Sequence, residues 1–259
     1  MANIAQNLLE EKAPDSLAAA NLMLTYFADF DPEEVSHEAD HAFVECATFA
    51  DDMKYHGEGW QSDFHFKDIN FIEEGTEADY DIQTEKTRNL TTGLYPIVAW
   101  LSGKQGTDYK TSYMYTFLMD KFDNDENIAK SFALRLLIHY VGDIVQPFHN
   151  EARYNSDYPS GDAGANAFPL KYHYTVDELH ALWDQVMYTQ RHFVARPFTA
   201  ETWATFQPEV TTMMSDYAYA VKDSSVYETL DYDAMSEEGF EIAKTLYDGK
   251  YYLVTDYFS

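Results

Sequence analysis

One cysteine, Cys46, is all the chain has. A single thiol excludes an intrachain disulfide framework and any Cys-based zinc site. Cations are scarce as well: 17 Lys and Arg stand against 45 Asp and Glu, a formal net charge of -28. Such a surface repels polyanions and argues against tight binding of duplex DNA through its phosphates. Long apolar runs are missing too, with no stretch of about 18 apolar residues that would read as a membrane span. The first residues, with Glu10 and Glu11 among them, lack the basic, then apolar, then small-residue order of a signal peptide. The sequon Asn89-Leu90-Thr91 matters only if the protein is secreted, and a chance match is the plain alternative.

What is present is a globular composition. Of the 259 residues, 46% are hydrophobic and 24% charged, enough to bury a sizeable core. No internal repeat or low-complexity linker divides the chain, and helical periodicity dominates. Helices are expected over residues 3–9, 15–29, 32–53, 87–102, 112–122 and 124–145, and again from a capping-box pattern at Thr175-Val176-Asp177-Glu178 through Met187. Further helices fall at 202–222 and 236–246. The Gly-, Ser-, Asp- and Pro-rich stretch 154–170 reads as a long ordered loop. Strand signals are limited to segments such as 251–255. The expectation is an all-α fold, a single large multi-helix domain over residues 1–259.

Chemistry concentrates where the strongest helix ends. Phe132, Leu136, His139 and Asp143 form one stripe, with His139 and Asp143 four apart on the same face. A buried carboxylate needs a partner, and residues 137–149 contain no Lys or Arg. A metal ion is the natural partner. Pro147 breaks the helix, so His149 can turn back to the same place. His180 and Asp184 repeat the four-residue spacing on a second apolar helix. Nitrogen and carboxylate ligands without cysteine suit a catalytic zinc site, and several together suit hydrolysis of phosphate esters. One His-x-x-x-Asp on a helix is ordinarily a side-chain hydrogen bond; two of them leave the metal and hydrogen-bond readings about even.

The strings themselves resemble a known family. "LRLLIHYVGDIVQPFH" closely resembles the central motif of the class I nucleases, the zinc-dependent, single-strand-preferring nucleases of fungi and plants, related in fold to bacterial zinc phospholipase C. "FADDMK" is similar to the family's Trp-Ala-Asp-x-x-Arg, "FHFKD" to its His-Phe/Tyr-Ile-Asp, "GDAGAN" to its Gly-Asp-x-Gly-Gly-Asn loop, and "ELHALWD" to its Asn-Leu-His-x-x-Trp-Asp. The motifs occur in the family's order and extend through most of the chain.

The resemblance implies that Asp51, His65, His139 and Asp143 surround one zinc, with Asp143 bridging to a neighbouring one, and that His149, His180 and Asp184 hold another. It implies that Phe66 stacks on a nucleobase, that Asp68 hydrogen-bonds the base edge, and that Asp162 and Asn166 shape the substrate and water sites. Lys54 stands where the family has Arg, a point charge in place of a bidentate fork. Asp51, Lys54 and Asp143 are the implied catalytic residues, and Trp183 is packing.

The family's third zinc uses an N-terminal Trp and a nearby His. Here the chain starts Met1-Ala2-Asn3-Ile4, so two zinc sites are retained, the third is incomplete, and the extreme N-terminus is expected to be missing. His37 and His41 do not match that set and are expected on a solvated helix face. The implied activity is endonucleolytic hydrolysis of single-stranded DNA or RNA to 5′-phosphorylated products, with 3′-nucleotidase activity. The implied partners are single-stranded nucleic acid or nucleotides, with no stable protein partner, a monomeric state, and secretion or a lysosome- or vacuole-like location. A phospholipase C-like phosphodiesterase, or an impaired relative that binds zinc without efficient catalysis, is the alternative.

Overall fold

Ser112 shows how local chemistry starts a helix here. Its side chain accepts the N–H of Tyr115 at 3.2 Å, satisfying one donor that the first turn would leave without a partner. The computed structural model describes residues 1–82, 86–103, 108–170, 176–185, 195–217 and 229–247, with backbone alone for 216 and 217. Among the described residues the helices, in chain order, are α1 (Ala2–Lys12), α2 (Pro14–Phe30), α3 (Ala42–Glu45), α4 (Phe49–Tyr55), α5 (Leu90–Leu101), α6 (Tyr113–Lys121), α7 (Glu126–Ile144), α8 (Leu179–Asp184), α9 (Ala200–Tyr217) and α10 (Tyr232–Tyr247). The fold class is all-α, as the periodicity indicates.

Two expectations are corrected. The helix expected over 32–53 does not form as one element. Residues 32–37 are turns, and α3 and α4 follow, separated by a 3-10 turn at Cys46–Thr48. The cause is Glu45, which is buried and points its carboxylate back along the chain. Its Oε2 accepts the N–H groups of Ala39 at 2.7 Å and His41 at 3.3 Å, which a continuous helix would direct to preceding carbonyls. His37 and His41 therefore lie outside a helix face. His41 stacks on Trp203 with ring centroids 3.6 Å apart, and His37 Nε2 lies 3.4 Å from Asp52 Oδ2. The second correction is a small parallel sheet, β1 (Ile69–Ile72) with β2 (Glu151–Tyr154), in register Ile69↔Glu151 to Ile72↔Tyr154. The strand signal at 251–255 lies outside the described residues, as do Thr175, Met187 and residues 218–222. Among the described residues, α8 begins at Leu179 after an extended Glu178 with no side-chain cap. An antiparallel bridge between Pro169 and Glu178 sets that start.

By its internal contacts the chain forms two units. The first comprises Met1–Ser62, Thr92–Gly142 and Val194–Glu228. Its core is aromatic. Phe132 meets Phe27 at 5.2 Å and Phe49 at 5.0 Å in edge-on contacts, the geometry that the ring quadrupole favours. Above this core Arg135 is fully buried. It pairs with Glu38 through Nε at 3.0 Å and Nη2 at 2.7 Å, and Nη2 also donates to the Leu24 carbonyl.

The second unit comprises Asp63–Thr91, Asp143–Phe193 and Thr229–Ser259. Here the two-stranded sheet and the turn Pro147–His149 pack against α10. Gly239 permits the approach: a Cβ there would come within 2.6 Å of Asn150 Nδ2. Phe148, Ala165 and Ala243 form a buried cluster, with Trp183, Phe168 and Tyr247 packed on it. Trp183 is thus packing, edge-on to Phe148 at 6.0 Å.

Candidate metal centre

The stripe expected on the strongest helix is real: Phe132, Leu136, His139 and Asp143 are all buried. In the first unit His139 donates its Nδ1–H to the Ala47 carbonyl at 2.7 Å. A carbonyl only accepts, so Nδ1 carries the hydrogen and Nε2 keeps its lone pair. That Nε2 lies 3.6 Å from Asp51 Oδ2. Asp51 is exposed and also paired with Lys54 Nζ at 2.9 Å. The first unit therefore brings three of the expected residues together on α4 and α7.

The second unit gathers the rest. His149, placed by the turn after Pro147, donates Nδ1–H to the His65 carbonyl at 2.9 Å. His180, on α8, donates Nδ1–H to the Gly164 carbonyl at 2.6 Å. The two imidazoles stack with centroids 5.0 Å apart. His180 Nε2 lies 3.6 Å from Asp184 Oδ2. One ligand atom each from His149, His180 and Asp184 can be chosen so that all lie within 4.8 Å of one another. Asp143 sits beside them, with Oδ2 2.9 Å from His65 Nδ1 and Oδ1 3.5 Å from His149 Nδ1. Burial lowers the pKa of His149, opposed by the Asp143 carboxylate, so the neutral ring is favoured. A neutral imidazole with a free Nε2 and a carbonyl-bound Nδ1 is the form in which histidine binds a metal. The donor set fits a divalent cation of the zinc type.

Asp184 departs from expectation in one respect. Its side chain is exposed, not set on an apolar face. Gln146 Nε2 donates to its Oδ1 at 2.9 Å, while Gln146 Oε1 accepts the N–H of Phe148. Gln146 thus orients a candidate ligand and caps the turn that carries His149. The carbonyls of Ala47, His65 and Gly164 are equally invisible to reasoning from side-chain types; only the glycine spacing around Gly164 hints at a special backbone.

The other expected residues in this unit lie as follows. The Phe66 ring is half-buried, 4.9 Å from the His149 ring. Asp68 has a left-handed φ of 51°, a conformation that Asp tolerates better than most residues. Burial raises its pKa, while Lys86 Nζ, 3.4 Å from Oδ2, works against the shift. Asn166 is exposed and donates from Nδ2 to the Ala163 carbonyl at 2.8 Å. Asp162 is fully buried and engaged by Tyr247 and by the backbone of Arg153.

No curated protein matches the chain. A family model described as S1/P1 Nuclease matches residues 1–257. That match covers almost the whole sequence and includes every residue of both histidine–aspartate clusters: the chain belongs to the S1/P1 nuclease family.

Proposed function

We propose that the chain is a zinc-dependent nuclease that hydrolyses phosphodiester bonds of single-stranded DNA or RNA to 5′-phosphorylated products, with 3′-nucleotidase activity. The observation that carries the zinc reading is the set of three imidazoles, His139, His149 and His180, each with Nδ1–H given to a backbone carbonyl. With Nδ1–H spent on the backbone, each Nε2 keeps a lone pair for a ligand bond, and in His139 and His180 that atom lies 3.6 Å from a carboxylate oxygen, of Asp51 and Asp184 respectively. His149, His180 and Asp184 would hold one zinc. Asp51 and His139 in the first unit, and His65 and Asp143 in the second, would serve as further ligands. Zinc at such sites supplies Lewis-acid charge and makes water a better nucleophile near neutral pH.

The remaining steps belong to the side chains. Phe66 offers a flat face to an unstacked base, which suits a single strand. Asp68 would accept from a base-edge N–H. Lys54, held by Asp51, brings positive charge to the phosphoryl oxygens. The charge of -28 penalises a long duplex more than a short or single-stranded substrate. The test is zinc content by elemental analysis together with turnover on single-stranded DNA, a 3′-nucleotide and a choline phospholipid. Zinc retention with hydrolysis of the nucleic acid alone supports the reading. Cleavage of the phospholipid in preference would replace it with a phospholipase C-like one, and a zinc-free, inactive chain would end it.

A further inference from the structure

Tyr247, the last described residue of α10, places its hydroxyl 2.6 Å from Glu151 Oε1 and 2.6 Å from Asp162 Oδ2. One phenolic hydrogen cannot serve two ionised carboxylates. The inventory closes when the phenol donates to Asp162 and Glu151 keeps a proton that it donates to the phenol oxygen. Glu151 and Asp162 are both fully buried. Glu151 Oε2 meets no hydrogen-bond partner among the described residues, which an ionised oxygen would not tolerate.

One acid stands two residues from a candidate ligand, the other two residues from the support of a candidate ligand. Glu151 follows His149 by two positions, and Asp162 precedes Gly164 by two. Asp162 fastens the turn that carries Gly164, tying it to Arg153 on one side and Ala167 on the other. Its N–H donates to the Arg153 carbonyl at 3.0 Å, its Oδ1 accepts the Arg153 N–H at 3.1 Å, and its carbonyl accepts the Ala167 N–H at 3.0 Å. Ala163, Gly164 and Ala165 in succession have φ of +56°, +61° and +62°. Two of these are not glycine, so the loop is not at its own minimum and is held by its surroundings. The Tyr247 ring is itself pinned, with the Arg153 guanidinium 4.1 Å from its centroid.

We infer that Tyr247 is a positioning residue for His180: its hydroxyl, bridging Glu151 and Asp162, holds the loop whose Gly164 carbonyl aims the imidazole. The metal consequence rests on the reading of His149, His180 and Asp184 as zinc ligands; the positioning does not. Tyr247→Phe removes the hydroxyl and keeps the ring on Arg153, so it preserves the packing of α10. In the whole 259-residue chain stripped of metal, nitrogen-15 NMR of the histidine rings should show His180 as a single tautomer with Nδ1–H protected from exchange. In the Phe variant that proton should exchange rapidly and both tautomers should appear. Zinc affinity, measured by competition with a chromogenic chelator, should fall about tenfold, the lower end of what outer-shell partners contribute. Phe240→Leu is the control, since it weakens α10 without touching the acid pair. It should lower the melting temperature and leave the His180 signal and the zinc affinity as they are. An unaltered His180 signal in Tyr247→Phe, or an equal change in Phe240→Leu, would overturn the inference. A wild-type chain with a fixed His180 tautomer but no zinc binding would leave the positioning intact and remove the zinc reading instead.

Discussion

The Nδ1–H of His149 is bonded to the backbone carbonyl of His65 at 2.9 Å, so one candidate ligand orients another through its main chain. The turn that follows Pro147 and the segment that leads into β1 are tied at that point, and the neighbouring bond from the Lys67 N–H to the His149 carbonyl at 2.7 Å ties them again. His149 is therefore aimed before any ion arrives. This gives a first expectation. Replacing His149 or His180 by Ala should remove about one zinc ion per chain and reduce phosphodiester hydrolysis by about two orders of magnitude or more. Elemental analysis after dialysis and initial rates on single-stranded DNA measure both. A chelator should lower the melting temperature of the wild-type protein, because buried ligands then lose their counter-ion.

Phe66 allows the proposed substrate role to be tested apart from the metal role. Its ring lies against His149, yet it offers no ligand atom. Phe66→Ala should weaken single-strand binding by about 1–3 kcal/mol, the worth of one stacked base. Zinc content should stay at the wild-type level. Fluorescence anisotropy with a labelled oligonucleotide gives the first quantity and elemental analysis the second. Unchanged oligonucleotide affinity would remove Phe66 from the substrate site.

Gly164 is the third case. Its φ is +61°, and a Cβ would come within 2.3 Å of the Phe148 carbonyl oxygen, a backbone atom that cannot swing away. Gly164→Ala should cost about 1–3 kcal/mol from the left-handed backbone alone, with the clash adding to it. Because the Gly164 carbonyl holds His180, zinc affinity should fall in parallel with the loss of stability seen in denaturant unfolding. Full zinc affinity in a folded Gly164→Ala chain would show that His180 does not depend on this carbonyl.

Much of the candidate site was legible because its signals are periodic or compositional. The stripe from Phe132 to Asp143 needed only a count of four, and the four-residue spacing of His180 and Asp184 needed the same. Resemblance to a family supplied His65, Phe66 and Asp68, which sit in a 3-10 turn and a strand lead-in where no period exists. The failures share a cause. Glu45 breaks the helix expected over 32–53 by taking two backbone N–H groups, a tertiary use of a residue that reads as an ordinary helix former. The sheet of β1 and β2 is only four residues per strand, and its pairing partners are 82 positions apart in the register Ile69↔Glu151. The carbonyls that fix the imidazoles carry no side-chain signature. Tyr247 looks like one more aromatic in a chain with 21 tyrosines.

The proton held by Glu151 gives the last expectation. Burial pushes the Glu151 carboxyl up from 4.5 to about 9, with the nearby Asp162 charge adding to the shift. A carboxyl whose pKa is raised on folding favours the fold fully only below its unfolded value. As pH rises from 4.5 towards about 9 the unfolded chain sheds this proton and the folded chain keeps it, so stability declines over that window. Glu151→Gln replaces the neutral acid by a neutral amide of the same shape, whose N–H can donate to the Tyr247 oxygen as the acid O–H does. The amide does not titrate. The difference in unfolding free energy between wild type and Glu151→Gln should therefore move steadily in favour of the glutamine chain from about pH 5 to about pH 9 and level off above it. Ionisable groups away from the Glu151–Tyr247–Asp162 cluster are common to both proteins and cancel in the difference. Urea unfolding of the two chains, metal-free and at matched ionic strength, measures it. A difference that stays flat across the window would mean that Glu151 is ionised in the folded protein. The hydroxyl of Tyr247 would then have to face two charged carboxylates.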